Sequence, residues 1–233
     1  MDISETILAF FQGGIFVIFV LFFVGVLVLG ALWSAKRRKE LAAWGAKHQM
    51  SFSPVKNKTF GHSFPTVKCL NIGHSRYAKN FIEGSWKGRG FVGFDYHYTT
   101  GSGKESQHHS LSGVIITSGI MLKPLFIRPE GFFDKMSEFF GFDDIDFESA
   151  EFSKKFFVKA EDKRWAYDVI HTRVMEFLLK SPRITIQFDR CYVIAFKANR
   201  LFKAHEFGEA GDVITGILDL LPDYVKEQQK GSM

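Results

Sequence analysis

The chain has 233 residues and a formal net charge of +5, with 30 Lys and Arg against 25 Asp and Glu. Much of the positive excess is the cluster Lys36, Arg37, Arg38 and Lys39, so the remainder is only mildly basic and lacks the clustered basic face of a nucleic-acid binder. Cys69 and Cys191 are the only cysteines and have no CxxC spacing, which excludes a disulfide framework and suits a reducing compartment.

The first predicted element runs from Gly13 to Trp33 without a charge. A helix of that length, at about 1.5 Å per residue, spans the ~30 Å hydrocarbon core of a bilayer. Lipid offers no partners for backbone N–H and C=O groups, so a lone span must be a helix. A cleaved signal peptide would need a basic stretch ahead of its apolar core, whereas Asp2 and Glu5 precede this one and the cations follow it. The span therefore reads as an uncleaved anchor. Lys and Arg resist translocation, which keeps their flank in the cytoplasm. The expected organisation is a short extracytoplasmic head (1–12), a transmembrane helix (13–33) and a basic juxtamembrane helix (34–50). A cytoplasmic α+β domain (51–226) and a disordered tail (227–233) complete it. Trp33 suits the inner interface, and the small pairs Gly30/Ser34 and Ala31/Ala35 read as part of a lipid-facing anchor rather than a helix-pairing face.

Beyond the anchor, Leu41, Trp44 and His48 share one side of the predicted juxtamembrane helix. Residues 51–75 carry turn chemistry, with short strands near Phe52 and Val67. Strands are expected at Arg76–Ile82 and Phe91–Tyr98, joined by Lys87-Gly88-Arg89-Gly90, the second placing Val92, Phe94, Tyr96 and Tyr98 on one face. His108–Thr117 and Leu125–Arg128 extend the antiparallel meander. A short helix over Glu130–Phe140 and a strand over Asp144–Glu148 follow, then a strand at Phe156–Val158. Asp162 caps a helix running to Lys180 with Ala166, Ile170, Val174, Phe177 and Leu178 as its apolar stripe. Arg183–Phe188 and Cys191–Phe196 read as a hairpin turning at Asp189-Arg190, and a last amphipathic helix uses Val213, Ile214, Ile217, Leu218 and Leu221. The predicted fold class is α+β: one N-terminal transmembrane helix, then mainly antiparallel sheet with packed amphipathic helices.

Several of these segments carry a recurring pattern. Glu151-Phe152, Phe157-Val158, Glu161-Asp162 and Met175-Glu176-Phe177-Leu178, with the upstream strand FVGFDYHYTT, resemble a family of uncharacterised bacterial single-span membrane-anchored proteins, a domain of unknown function. The resemblance covers roughly half the chain. It implies a membrane anchor and a topology, and it carries packing residues rather than an active site.

No motif fixes a reaction. Gly101-Ser102-Gly103-Lys104 lacks the phosphate-loop Gly at position 98, which is Tyr, and the hydroxyl at 105, which is Glu; it reads as a hairpin loop. Asp95, His97, His108 and His109 are the metal or acid–base candidates, since pairing Tyr98 with Gln107 would set His97 against His108 with Asp95 on the same side. With no closed four-ligand set among them, they are read as a polar sheet face and no metal or cofactor is assigned. The acidic run Asp143, Asp144, Asp146, Glu148 and Glu151 lacks the calcium-loop Gly and Glu, and reads as a solvated strand edge. His205-Glu206 lacks the second zinc-protease His, Glu209 standing there, and both cysteines read as core in apolar strands.

The expected function is a membrane-anchored, non-catalytic accessory domain in a membrane protein assembly at the plasma membrane, N-terminus out and domain in. Its partners would be the bilayer, met by Lys36, Arg37, Arg38 and Lys39, and another membrane protein, with homo-oligomerisation left open. The alternatives are an enzyme using the His97/His108 hairpin and a binder of anionic lipid.

Overall fold

The computed structural model describes residues 3–131 and 145–230 and divides into two compact units, Met1–Glu40 and Leu41–Met233. The first consists of most of α1, a single uninterrupted helix over Ile3–Lys47. Its side chains from Val17 to Trp33 are exposed, and its most apolar stretch has a mean hydropathy of 2.7. A helix that lies in water does not leave Phe and Leu uncovered along such a length, because each buried side chain of this kind is worth about 2 kcal/mol. The expected juxtamembrane helix is the direct continuation of α1, ended by Gln49 at a φ of 57°.

The second unit is built on a six-stranded antiparallel sheet: β1 (Ser51–Ser53), β2 (His74–Trp86), β3 (Arg89–Thr100), β4 (Gln107–Pro129) and β5 (Phe156–Ala160) in sequential order, with β6 (Thr185–Lys197) also paired to β4. β2 and β3 form the expected hairpin. Lys87 and Gly88 both have positive φ, and Trp86 pairs with Arg89, the geometry of a two-residue turn whose twist matches the flanking strands. The predicted alternation along β3 holds: Phe94, Tyr96 and Tyr98 pack with Val67 and Leu70 on one side of the sheet, and Phe91 packs with the helices on the other.

The strands around β4 differ from expectation. β4 is one long strand rather than two, and β6 is one strand rather than a hairpin, because both bend together instead of reversing. The β4–β6 register shifts between Thr117 and Leu125, where Gly119 has a φ of 75° and Arg190, opposite, has a φ of 51°. Ser118-Gly119 and Asp189-Arg190 thus carry turn chemistry at a corner, the usual work of a bulge. The Asp189 carboxylate is buried there and accepts a hydrogen bond from the Thr66 hydroxyl. Lys197 and Ala198, at the end of β6, line the same small cavity as Arg183–Thr185 at its start.

Helices cover one face of the sheet: α2 (Ala150–Ser153), α3 (Lys163–Val169), α4 (Thr172–Lys180), α5 (Ala204–Leu220) and α6 (Asp223–Lys230). Asp162 caps α3 as expected, accepting from Trp165 N–H at 3.1 Å. The single helix expected over 163–180 is broken at Ile170-His171. There the chain is non-helical, Ile170 stays in the core, and His171 Nε2 lies 3.0 Å from the Leu220 carbonyl oxygen. The break lays α4 on α5, where the Phe177 ring fills the space that a side chain at Gly216 would need.

Three further expectations need correction. Ile145–Glu148 is not a strand: Ile145 and Phe147 are buried and Asp146 and Glu148 exposed, but Ile145 N–H bonding Val158 O at 3.0 Å is one contact, not a ladder. Cys69 is buried in a 3-10 turn (Lys68–Leu70) rather than in a strand, in the segment that also contains Val67. The tail expected to be disordered from residue 227 is helical through Lys230, held by buried Val225 and by the Tyr224 hydroxyl bonded to Asp168 at 2.7 Å. The helix expected over Glu130–Phe140 falls, beyond Gly131, outside the described residues, as do Asp143 and Asp144 of the acidic run.

Candidate functional site

The β3–β4 register decides the histidine candidates. Tyr98 pairs with His109 and Thr100 with Gln107, so the pairing of Tyr98 with Gln107 is corrected by two residues and His97 faces Ser110 instead of His108. His97 and His108 lie on the helix-covered face with Asp95, and His109 projects from the other, since successive residues of a strand alternate.

Each candidate is drawn into its own local contact. His97 stacks on Tyr77 with 4.8 Å between centroids and bonds the Ser110 hydroxyl at 2.8 Å. His108 Nδ1 lies 3.1 Å from Thr99 Oγ1. His109 stacks on Tyr98 and bonds both Thr100 Oγ1 at 2.8 Å and Asn199 Oδ1 at 2.9 Å. Asp95 is fully buried and accepts from Asn80 Nδ2 at 2.8 Å and Ser112 Oγ at 2.5 Å, while Ser112 Oγ accepts from Phe202 N–H at 3.0 Å. That network ties β2, β3 and β4 to the segment leading into α5. Among the described residues, no three His, Cys, Asp or Glu side chains come together as a ligand set. The arrangement ties neighbouring strands together.

Two clusters lie apart from the metal and acid–base candidates. The first is at the start of α5. Glu206 accepts from Lys197 Nζ at 2.8 Å, Arg200 Nη2 at 2.9 Å and the Lys203 backbone N–H at 2.7 Å. Burial pushes its pKa up, but the Lys197 and Lys203 hydrogen bonds and the two cationic charges outweigh burial and hold it below the ordinary Glu value. The available signal was a Glu three residues beyond a helix start, the N3 position of a capping box.

The second cluster is aromatic. Trp44, in the last turn of α1, stacks on Trp86 at 6.0 Å and lies 6.2 Å from both Phe91 and Phe207. His48 covers Trp44 at 4.3 Å. Gly208 and Gly211 make room for Trp86: a Cβ at Gly211 would lie 2.9 Å from its Nε1, which donates to Asp212 at 3.1 Å. Leu41–Lys47 is therefore part of the folded domain. Immediately before it, Lys36, Arg38 and Lys39 are exposed and Arg37 half-buried on α1.

Open space lies at the joint between α5 and α6. A cleft of about 250 Å³ is lined by Arg89, Ser118, Gly119, Ile120, Leu218, Leu221 and Lys226. It shares Leu221 and Lys226 with a neighbouring cleft of about 320 Å³, to which His171, Arg173, Asp219 and Asp223 contribute.

No protein-family model matches this chain, and no curated protein matches it in sequence. Among solved structures, its fold is similar to the crystal structure of the mycobacterial trehalose monomycolate transport factor A, TtfA. The TM-score is 0.58 at 10% identity, over 79% of this chain and 96% of that one. At that identity the likeness is one of fold.

Proposed function

We propose that the protein is a single-pass, membrane-anchored accessory module whose α+β domain works on the cytoplasmic side beside another membrane protein. The carrying observation is the exposed apolar length of α1 from Val17 to Trp33, followed at once by Lys36–Lys39. The basic turn supports an inward-facing domain and adds roughly 1 kcal/mol of attraction per residue to an anionic leaflet, reduced by salt. Only the seven residues Ser34–Glu40 lie in sequence between Trp33 and the start of the second unit. A domain tethered so closely meets membrane-proximal surfaces at raised effective concentration, which favours a partner in the same membrane. The fold shared with a protein named as a transport factor supports an accessory role. The pattern in residues 151–178 supports membership of the bacterial membrane-anchored family that it resembles.

The test uses the intact chain in mild detergent and after cross-linking in membranes. A larger assembly containing a second membrane protein is expected. It survives replacement of residues 13–33 by an unrelated span if the domain makes the contact, and is lost if the helix does. A lone monomer under every condition overturns the reading.

A further inference from the structure

We infer that the cleft between the β4 bulge and the α5–α6 joint holds the phosphate of an anionic phospholipid headgroup, bridged by Arg89 and Lys226. This rests on the membrane-anchored reading above and adds a ligand to it.

The two cations flank the last turn of α5. Arg89 Nη1 donates to the Ser118 carbonyl at 2.6 Å, which fixes the guanidinium plane; Nη2 lies 3.1 Å from Asp219 Oδ1. Lys226 Nζ lies 3.5 Å from the Asp219 carbonyl oxygen and 3.5 Å from Asp223 Oδ1. Both acids that meet these cations are open to solvent, with the Asp219 side chain 62% exposed and that of Asp223 94% exposed. Ion pairs in that setting contribute little, so they exchange readily for a better anion. A phosphate diester offers one, because its oxygens accept charge-assisted bonds from a fixed guanidinium fork and an ammonium together.

The remaining lining selects a lipid over free phosphate. Ile120, Leu218 and Leu221 supply an apolar floor beneath the cations, suited to the carbon backbone next to a headgroup phosphate. Arg173 and His171 extend the basic rim into the second cleft, and Asp219 and Asp223 are the acids there. The anchor keeps the domain among lipids of an anionic leaflet, a standing supply that a soluble protein lacks.

Native mass spectrometry of the full chain, released from a non-ionic detergent, tests the site with dihexanoyl phosphatidylglycerol, dihexanoyl phosphatidylcholine and inorganic phosphate as probes. Phosphatidylglycerol is expected to bind at least about tenfold more tightly than the other two. Lys226→Glu, at a partly exposed position of α6, should lower that affinity about tenfold or more. Arg89→Gln should do the same. Thermal melting of Lys226→Glu shows that the variant is folded, so a loss there reports on the site even if Arg89→Gln loosens the bulge. Equal binding of phosphatidylcholine, equal binding of phosphate alone, or unchanged affinity in folded Lys226→Glu each overturns the inference. Loss of the cross-linked assembly in Lys226→Glu with lipid affinity intact would make the cleft a protein contact and also overturns it. None of these outcomes bears on membrane attachment, which the span replacement tests separately.

Discussion

Glu206 and Tyr96 show how single titrating groups weigh on this domain. The folded pKa of Glu206 lies below the ordinary value because Lys197, Arg200 and the Lys203 N–H overcome its burial. A group of that kind binds its proton more readily unfolded than folded. Its stabilisation is complete above its unfolded pKa, about 4.3, and is lost as pH falls through the lower folded value. Glu206→Gln is therefore expected to cost about 2 kcal/mol at pH 7 and to flatten stability below pH ~5, as urea melts across pH 3–7 would read. Tyr96 runs the other way. Burial, offset in part by the Arg76 charge and reinforced by Cys69, pushes the phenol up to about 12, and its hydroxyl donates to the Leu70 carbonyl at 2.6 Å. The neutral phenol favours the fold below the unfolded value of about 10, and that contribution disappears as pH rises from there through the folded value. Tyr96→Phe should cost about 1 kcal/mol at neutral pH and remove one late-titrating tyrosine from an ultraviolet titration.

At the scale of elements, packing at α4–α5 yields a prediction and the sheet corner explains what was legible. Gly216→Ala would drive a Cβ into the Phe177 ring, so the ring must move, at a cost of about 1–3 kcal/mol. Trimming the ring in the double variant Gly216→Ala/Phe177→Leu should recover part of that loss in thermal melts; additive losses would show that the two do not meet. Elements specified by local chemistry could be read from the chain alone. Lys87-Gly88 sets the β2–β3 hairpin through two positive-φ positions, Asp162 caps α3 by its own side chain, and period-two alternation sorts Phe94, Tyr96 and Tyr98 from Phe91. Elements decided by tertiary contact were misread. Asp189-Arg190 looks like a reversal, because the contacts that make it a corner come from Thr66 and from β4, far away in sequence. Ile170-His171 reads as continuous helix, because the contact that meets the break, His171 Nε2 on the Leu220 carbonyl, comes from far away in sequence. The expected pairing of Tyr98 with Gln107 is off by two residues, which no periodicity could supply: a shift of two residues keeps every side chain on its face while exchanging all its neighbours.

At the scale of the whole chain, α1 is divided between the two compact units, and truncation separates them. A fluorescent protein fused after Lys230 should be active, and a phosphatase that works only outside the cytoplasm should be silent there; the reverse would overturn the inward orientation. The boundary between the two compact units falls at Glu40, inside a helix with no break, so helix continuity is no guide to where the domain begins. Side chains are the better guide. Leu41 is buried, Trp44 stacks on Trp86, and both belong to the cluster that includes Phe91 and Phe207. A fragment of residues 36–233 keeps these groups and discards the apolar length, so it should leave the membrane fraction and melt cooperatively as a soluble domain. A fragment of residues 51–233 looks as reasonable by strand boundaries, because β1 begins at Ser51. It lacks Leu41 and Trp44, however, and uncovers Trp86 and Phe91. Removing one large core side chain costs about 2–5 kcal/mol, and losing two approaches the whole stability of a typical domain. The shorter fragment should therefore melt at least about 10 °C lower or aggregate, at a cost of about 2–4 °C per kcal/mol for a domain of this size. Equal melting temperatures for the two fragments would show that the end of α1 contributes nothing to the fold and would sink the assignment of Leu41–Lys47 to the domain.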